Sequence, residues 1–442
     1  MAGLIPKRPS PAAGRSATGI VALLCLSILW THASVVASRS LAPARRGAAA
    51  SAAGEGHYSA VIVDSDFGDW MDDPFALALL RATVGDALKL VLTTGTREAA
   101  LLAAQLLLTG GAGGPLPAVG QGLAPPGNAT RQPCLAGALD LALRPALEAM
   151  VLADGISAAA TVVEAAAGAG SEVGGGGGGG RVLWLVIGPS TNAAAFATAY
   201  PELTPHVALG LMAGSSRPGI PLPWGNGCCT TPIVEFNVAT DVQAARTVLA
   251  TNWASPPSYA PIDDTHDSAL RGRWFARLLE AAFPAGSDCR AEYNTRMSMA
   301  GSIAYCATYG CHSYTLAASD CGQGHPMASA LLTTYLAWIN EARQAGPASP
   351  AYDEAEYVVS HRVWATATPP LYDAFAVAQL LRPALFDVRR QRLAIADDGA
   401  TALLQGSRGK PVDWGWECPH PEAVWEALME PLLADSGVSV QR

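Results

Sequence analysis

The chain has 442 residues, half of them hydrophobic and 15% charged, with a formal net charge of −9. That composition sustains a large core and excludes general disorder, and the negative balance argues against a nucleic-acid backbone as partner. It leaves one large α/β domain or two smaller ones as the expected organisation.

The N-terminus carries Lys7, Arg8 and Arg15, then an apolar run from Gly19 to Trp30, then small residues around Val35 to Ala37. Basic, apolar and small in that order reads as a secretory signal over residues 1–37, with an uncleaved anchor as the alternative. Thr31 and His32 interrupt the run, which is short for a bilayer span, so cleavage and a secreted, membrane-free chain are expected. Residues 38–57 read as a flexible leader rich in Ala, Ser, Arg and Gly. Beyond Cys25 the chain keeps eight cysteines: 134, 228, 229, 289, 306, 311, 321 and 418. An even count in a secreted chain reads as disulfides, with connectivity left open. Asn128-Ala-Thr130 is a glycosylation acceptor pattern in a Pro/Gly-rich stretch.

From Tyr58, apolar runs alternate with Ala/Leu-rich helical segments. Val61 to Val63 predicts a strand that ends in aspartates, and Pro74 marks the first helical position before Phe75 to Leu80. Leu88 to Leu92 predicts a second strand and Arg97 to Leu108 a helix. Gly174 to Gly180 is a low-complexity loop, after which Arg181 to Ile187 and His206 to Met212 read as buried strands. Strands separated by helices predict an α/β fold with a mainly parallel central sheet and helices on both faces. One domain is expected over 58–435, with a cysteine-rich insertion at 283–323, read as a cap near a pocket or a surface elaboration, and a tail at 436–442.

The densest chemistry lies in Val61-Ile-Val-Asp64-Ser-Asp66-Phe-Gly68-Asp69-Trp70-Met-Asp72-Asp73-Pro74. Five carboxylates at the end of a buried strand repel one another unless a proton or cation compensates them. Oxygen-only ligation suits a hard divalent ion such as Ca²⁺ or Mg²⁺. Asp73 as a helix cap, with the other aspartates in a solvated loop, is the alternative. Downstream, Gly188-Pro-Ser-Thr-Asn192 follows a strand, and its Thr191 and Asn192 read as helix caps. In Thr231-Pro-Ile-Val-Glu235-Phe-Asn237, an acid and an amide two residues apart point to one side of an extended segment, offering acceptor and donor to vicinal hydroxyls. Pro261-Ile-Asp-Asp-Thr-His266, Pro370-Leu-Tyr372-Asp373 and Arg408-Gly-Lys-Pro-Val-Asp-Trp414 complete the set.

Taken together, these segments resemble the nucleoside hydrolases of the inosine–uridine-preferring family, whose first motif has the form Asp-x-Asp-x-Gly-x-Asp-Asp. Here the gap before the paired aspartates is two residues longer. The resemblance implies a Ca²⁺-dependent hydrolase of purine or pyrimidine ribonucleosides, giving ribose and free base through an oxocarbenium-like sugar. Carried onto this chain, it places Asp66, Asp73, Asp373 and the Ile187 carbonyl on the metal, with Asp66 also the general base. Asp72, Glu235, Asn237, Asn226 and Asp373 then face the ribose. Asp64 supports the loop, Asp69 has no clear counterpart, and His266, ending a strand, is structural. Trp70 and Trp224 are candidates to stack the base. Tyr372 stands where relatives carry a histidine that protonates the leaving base, and a phenol is a poorer acid. A small nucleoside is thus the expected partner, with a homo-oligomer possible. A binding protein that has lost catalysis, or a hydrolase of another ribosyl or glycosyl conjugate, are the alternatives.

Overall fold

The structure, a computed structural model, describes residues 58–111, 115–126, 133–169, 181–218, 233–316, 321–349 and 351–434. The signal, the leader, the glycine tract, Asn128, Trp224, Asn226, Cys228 and Cys229 lie outside the described residues.

Twelve strands are described: β1 (Ala60–Ser65), β2 (Leu88–Thr93), β3 (Ala118–Gln121), β4 (Val151–Leu152), β5 (Val182–Val186), β6 (Val207–Met212), β7 (Ser258–Ala260), β8 (Ala269–Arg271), β9 (Ala367–Pro370), β10 (Asp387–Ile395), β11 (Thr401–Leu403) and β12 (Lys410–Glu417). Ten of them form one sheet in the order β11-β10-β12-β7-β6-β5-β1-β2-β3-β4, and β8 pairs with β9 apart from it. From β4 across to β12 every pairing is parallel, and β10 and β11 close the edge antiparallel. The chain leaves β1 towards β2, β3 and β4, then returns to β5 on the other side of β1. The strand order therefore reverses beside β1, which puts the ligand crevice of such a sheet at the carboxyl ends of β1 and β5.

Both faces of the sheet are covered, as a near-continuous apolar strand pattern requires. Val61, Val63, Leu183 and Leu185 pack into one core with the helices Asp72–Val84, Pro326–Ala345, Tyr372–Leu381 and Pro421–Ala434. Their alternates Ala60, Ile62, Val182, Trp184 and Val186 pack into a second core with Gly155–Ala169, Thr191–Ala199 and Val242–Ala250. Among the described residues, no helix is long and apolar enough to cross a membrane.

Three local expectations change. The first helix begins at Asp72, so Pro74 stands third in it. A missing N–H is harmless there, because first-turn N–H groups lack intrahelical acceptors. The Pro261–His266 segment is a short helix, Ile262–Thr265, after β7, and His266 Nδ1 meets the Asp263 carbonyl at 3.0 Å. The cysteine-rich insertion forms the helices Asp288–Met299 and Ile303–Tyr309 with disulfides Cys289–Cys321 and Cys306–Cys311. It is no surface elaboration: Cys289, Tyr293, Met297 and Tyr305 are fully buried in the first core. Cys418 keeps a thiol, pushed up to about 11 by burial.

Candidate active site

At the end of β1, Asp64 is wholly buried, and its Oδ1 accepts from Asn192 Nδ2 at 2.8 Å and Thr94 Oγ1 at 3.2 Å. Asn192 Oδ1 in turn accepts from the Leu123 N–H at 2.7 Å. This amide therefore joins β1 to the ends of β2 and β3 instead of capping its own helix. Thr191 does not cap either, since its hydroxyl donates to Asp241 Oδ2 at 2.8 Å. Burial pushes Asp64 up to about 7 against those hydrogen bonds.

Asp72 and Asp73 sit in the first turn of Asp72–Val84, and Asp373 in the first turn of Tyr372–Leu381. Carboxylate oxygens of these three buried residues lie within 4.8 Å of one another, and no other described residues form such a group. Two helix N-termini converge there, so the macrodipoles favour the negative charge. They do not balance it. Burial, then the neighbouring carboxylates, hold Asp73 and Asp373 well above the usual carboxylate range, and burial lifts Asp72 to about 6. Ser65 Oγ donates to Asp73 Oδ1 at 2.5 Å, whereas the buried Asp73 Oδ2 has no partner. The Asp373 N–H donates to Asp72. An all-oxygen group with an orphaned anionic oxygen fits a hard divalent cation.

Asp66 is half-buried beside this group, raised by burial and then by Asp69 and Asp72. A Cβ on Gly188 would lie 2.6 Å from the Asp66 nitrogen and 2.9 Å from its Oδ1. Only glycine lets the loop after β5 come this close. The Ile187 carbonyl accepts from Asn237 Nδ2 at 3.2 Å.

Glu235 and Asn237 depart from the extended reading. Glu235 caps the short helix Phe236–Thr240, accepting from the Asn237 and Val238 N–H groups at 2.7 and 3.1 Å and from Gly214 N–H at 3.1 Å. Burial nevertheless lifts it to about 7. Asn237 Nδ2 reaches the carbonyls of Ile187 and Met212, at 3.2 and 3.0 Å. Its donors are occupied, which leaves Oδ1 for a ligand.

A small cleft open to solvent is lined among others by Asp66, Asp69, Thr94, Thr96, Pro189 and Phe236, and of Asp66, Asp72, Asp73, Asp373 and Glu235 only Asp66 reaches it. Asp69 Oδ1 accepts from the Cys134 N–H at 3.3 Å and so fastens one wall. Trp70 does not line the cleft; it packs edge-on against Phe236, centroids 6.1 Å apart. Phe236, 38% exposed, is the aromatic wall. Sequence reasoning passed over it because it lay between two polar residues of greater interest.

Tyr372 packs against the first core with its phenol pushed well above its ordinary value by burial, then by Glu354 and Asp72. Glu354, on the helix Tyr352–Ser360, is 3% exposed, and burial followed by Asp72 raises its carboxyl well above the usual range. Nothing in the sequence separates this buried acid from its neighbours Asp353 and Glu356.

Residues 61–424 match the family model described as inosine-uridine preferring nucleoside hydrolase. The chain belongs to that family. Its members are metal-dependent hydrolases of nucleosides, in keeping with the acidic group at the two helix starts. An inosine-uridine preferring nucleoside hydrolase from Bacillus anthracis superposes with TM-score 0.51 at 14% identity, covering 85% of this chain and 99% of that one. A purine-preferring ribonucleoside hydrolase from Gardnerella vaginalis gives TM-score 0.51 at 14% identity, covering 86% and 99%. A plant nucleoside hydrolase gives 0.51 at 16% identity, covering 85% and 99%. At these identities the likeness establishes the nucleoside hydrolase fold. No curated protein matches the chain by sequence.

Proposed function

We propose that this nucleoside hydrolase is a secreted, Ca²⁺-dependent enzyme that cleaves ribonucleosides to ribose and free base. The observation that carries the reading is the buried carboxylate group of Asp72, Asp73 and Asp373, within 4.8 Å of one another. Asp73 and Asp373 would hold the ion, joined by Asp72 or Asp66 and by the Ile187 carbonyl. When bound, the cation offsets the carboxylates' repulsion and acidifies a water.

The chain's own residues supply the rest. Asp66, half-buried at the cleft, takes the proton of the attacking water at its carboxylate. Asp72 and Asn237 Oδ1 accept from the ribose hydroxyls, and Glu235 acts by fixing the Asn237 backbone. The ring of carboxylates favours positive charge at the anomeric carbon as the base departs. Phe236 offers an aromatic face to the base, and Tyr372 is a wall, because its buried phenol is a poor proton donor. Purified mature protein should release free base from a nucleoside panel with Ca²⁺ and stop when a chelator is added. Binding without turnover would instead favour the catalytically impaired alternative.

The secreted part of the proposal rests on the signal pattern, the two disulfides and the sequon at Asn128. N-terminal sequencing of the exported protein should begin near Ser38, and an intact Met1 would overturn it.

A further inference from the structure

A second buried carboxylate stands away from the cleft without a partner. Asp264, in the short helix after β7, is 6% exposed, and neither of its oxygens has a hydrogen-bond partner. Gln379, 1% exposed, donates its Nε2 to the Tyr259 carbonyl at 2.9 Å and to Ser258 Oγ at 3.3 Å, so its amide orientation is fixed. Its Oε1 also has no partner. The two sets of orphaned oxygens meet beside Gly415 of β12. A Cβ there would lie 2.3 Å from Gln379 Oε1 and 2.8 Å from Asp264 Oδ2.

Two buried acceptors facing one point repel each other unless one carries a proton or a cation lies between them. A cation is the poorer answer. No third acidic or imidazole ligand joins them among the described residues, and the Arg217 guanidinium adds positive charge nearby. A single proton on Asp264 turns one of its acceptors into a donor and pairs it with Gln379 Oε1.

We propose that Asp264 is a positioning residue that keeps its proton and donates it to Gln379 Oε1, seating the helix that presents Asp373. Gln379 lies six residues beyond Asp373 in the helix Tyr372–Leu381, about 9 Å along its axis. Held from β7 through Nε2 and from Asp264 through Oε1, the helix cannot turn or slide without breaking buried hydrogen bonds. The link to Asp373 rests on the calcium site proposed above.

The surroundings favour the proton. Burial pushes Asp264 up to about 7, opposed by Arg217 and assisted by Asp263, Asp387 and Glu417. Asp263, in the same short helix, accepts from Ser215, Ser216 and the Arg217 N–H. Asp387 of β10 pairs with Arg389, Glu417 ends β12, and the Cys418 thiol follows it. With its folded value above the unfolded one, Asp264 contributes stability that is full below about pH 4. That contribution declines as pH rises and is gone above about 7.

The test compares full-length mature protein with Asp264→Asn, both saturated with CaCl₂. Asparagine still donates to Gln379 Oε1 but does not titrate. The wild-type Tm minus the variant Tm should fall from pH 4 to 7 and then level off. Calcium affinity of the wild type should weaken relative to the variant as pH passes 7. A pH-independent Tm difference would overturn the proton, and a pH-independent affinity ratio would overturn the positioning role. If Asp264→Asn fails to fold, Gln379→Glu tests the same contact: two facing carboxyls share one proton, so the stability midpoint should move upward. An unmoved midpoint would overturn the proposal. Absence of calcium binding at every pH would refute the calcium site and leave the protonated Asp264 standing.

Discussion

Glu235 and the Asp72–Asp73–Asp373 group are both buried acids at the carboxyl end of one sheet, yet the chain treats them differently. Three backbone N–H groups, from Gly214, Asn237 and Val238, satisfy Glu235. Asp72 takes backbone N–H groups at the two helix starts, but Asp73 and Asp373 press on their neighbours, with Asp73 Oδ2 left bare. A buried acid supplied with donors is part of the scaffold. A cluster lacking them stores a demand for something from outside, and an all-oxygen cluster makes that demand of a hard cation.

The largest way to break this comparison is to neutralise a member of the group. Asp373→Asn or Asp73→Asn should cost more than ~100-fold in turnover with loss of Ca²⁺ binding, because an amide lacks the anionic oxygen. The same change should raise the Tm of the calcium-free protein by relieving repulsion. Glu235→Gln should instead leave Tm nearly unchanged below about pH 4.5, because the protonated carboxyl and the amide each set one donor against the same N–H groups. Unchanged turnover in Asp373→Asn would dissolve the distinction.

Asn237→Ala comes next. It strips the Ile187 and Met212 carbonyls of their donor and should cost roughly 1–3 kcal/mol in stability by denaturant unfolding, along with turnover. A stable variant with full activity would show that this amide neither braces the site nor meets the ribose.

The pH dependence sharpens the scaffold side. Glu235 holds its proton to about 7 in the folded protein and releases it near 4.5 when unfolded. Its contribution is therefore full below about pH 4.5 and lost as pH rises through about 7. Calcium-free wild type should lose stability relative to Glu235→Gln over that window and run parallel to it above. Parallel curves throughout would mean that Glu235 is ionised in the fold.

Asp72 and Asp73 were legible in the sequence because they share one strand-to-helix turn with Asp64, Asp66 and Asp69, where repulsion can be read from spacing alone, whereas Asp373, on a distant helix, was reached only through the family resemblance. The parallel sheet was legible for a similar reason: apolar runs such as Arg181 to Ile187 carry their burial locally. Contacts across long separations were not. Asn192 looks like a helix cap until β2 and β3 bring Thr94 and Leu123 beside it. Asp69 had no counterpart in the common motif, and the fold uses it to hold Cys134. Glu235-Phe-Asn237 reads as extended because five residues of helix carry no periodicity of their own, and the Gly214 N–H that favours the cap is 21 residues away.

The smallest effect is expected at Tyr372. Tyr372→Phe removes a hydroxyl whose proton burial holds tightly, so turnover should change by less than ~3-fold, equally for nucleosides with good and poor leaving groups. A selective loss on poor leaving groups would make the phenol an acid after all.

Calorimetric titration of Ca²⁺ into the calcium-stripped protein, paired with nucleoside hydrolysis in the same samples, tests the central claim most directly. The predicted result is one ion per chain, activity rising in step with occupancy, and neither heat nor turnover in Asp373→Asn. Hydrolysis undiminished in excess chelator, or calcium binding unaffected by Asp373→Asn, would contradict it.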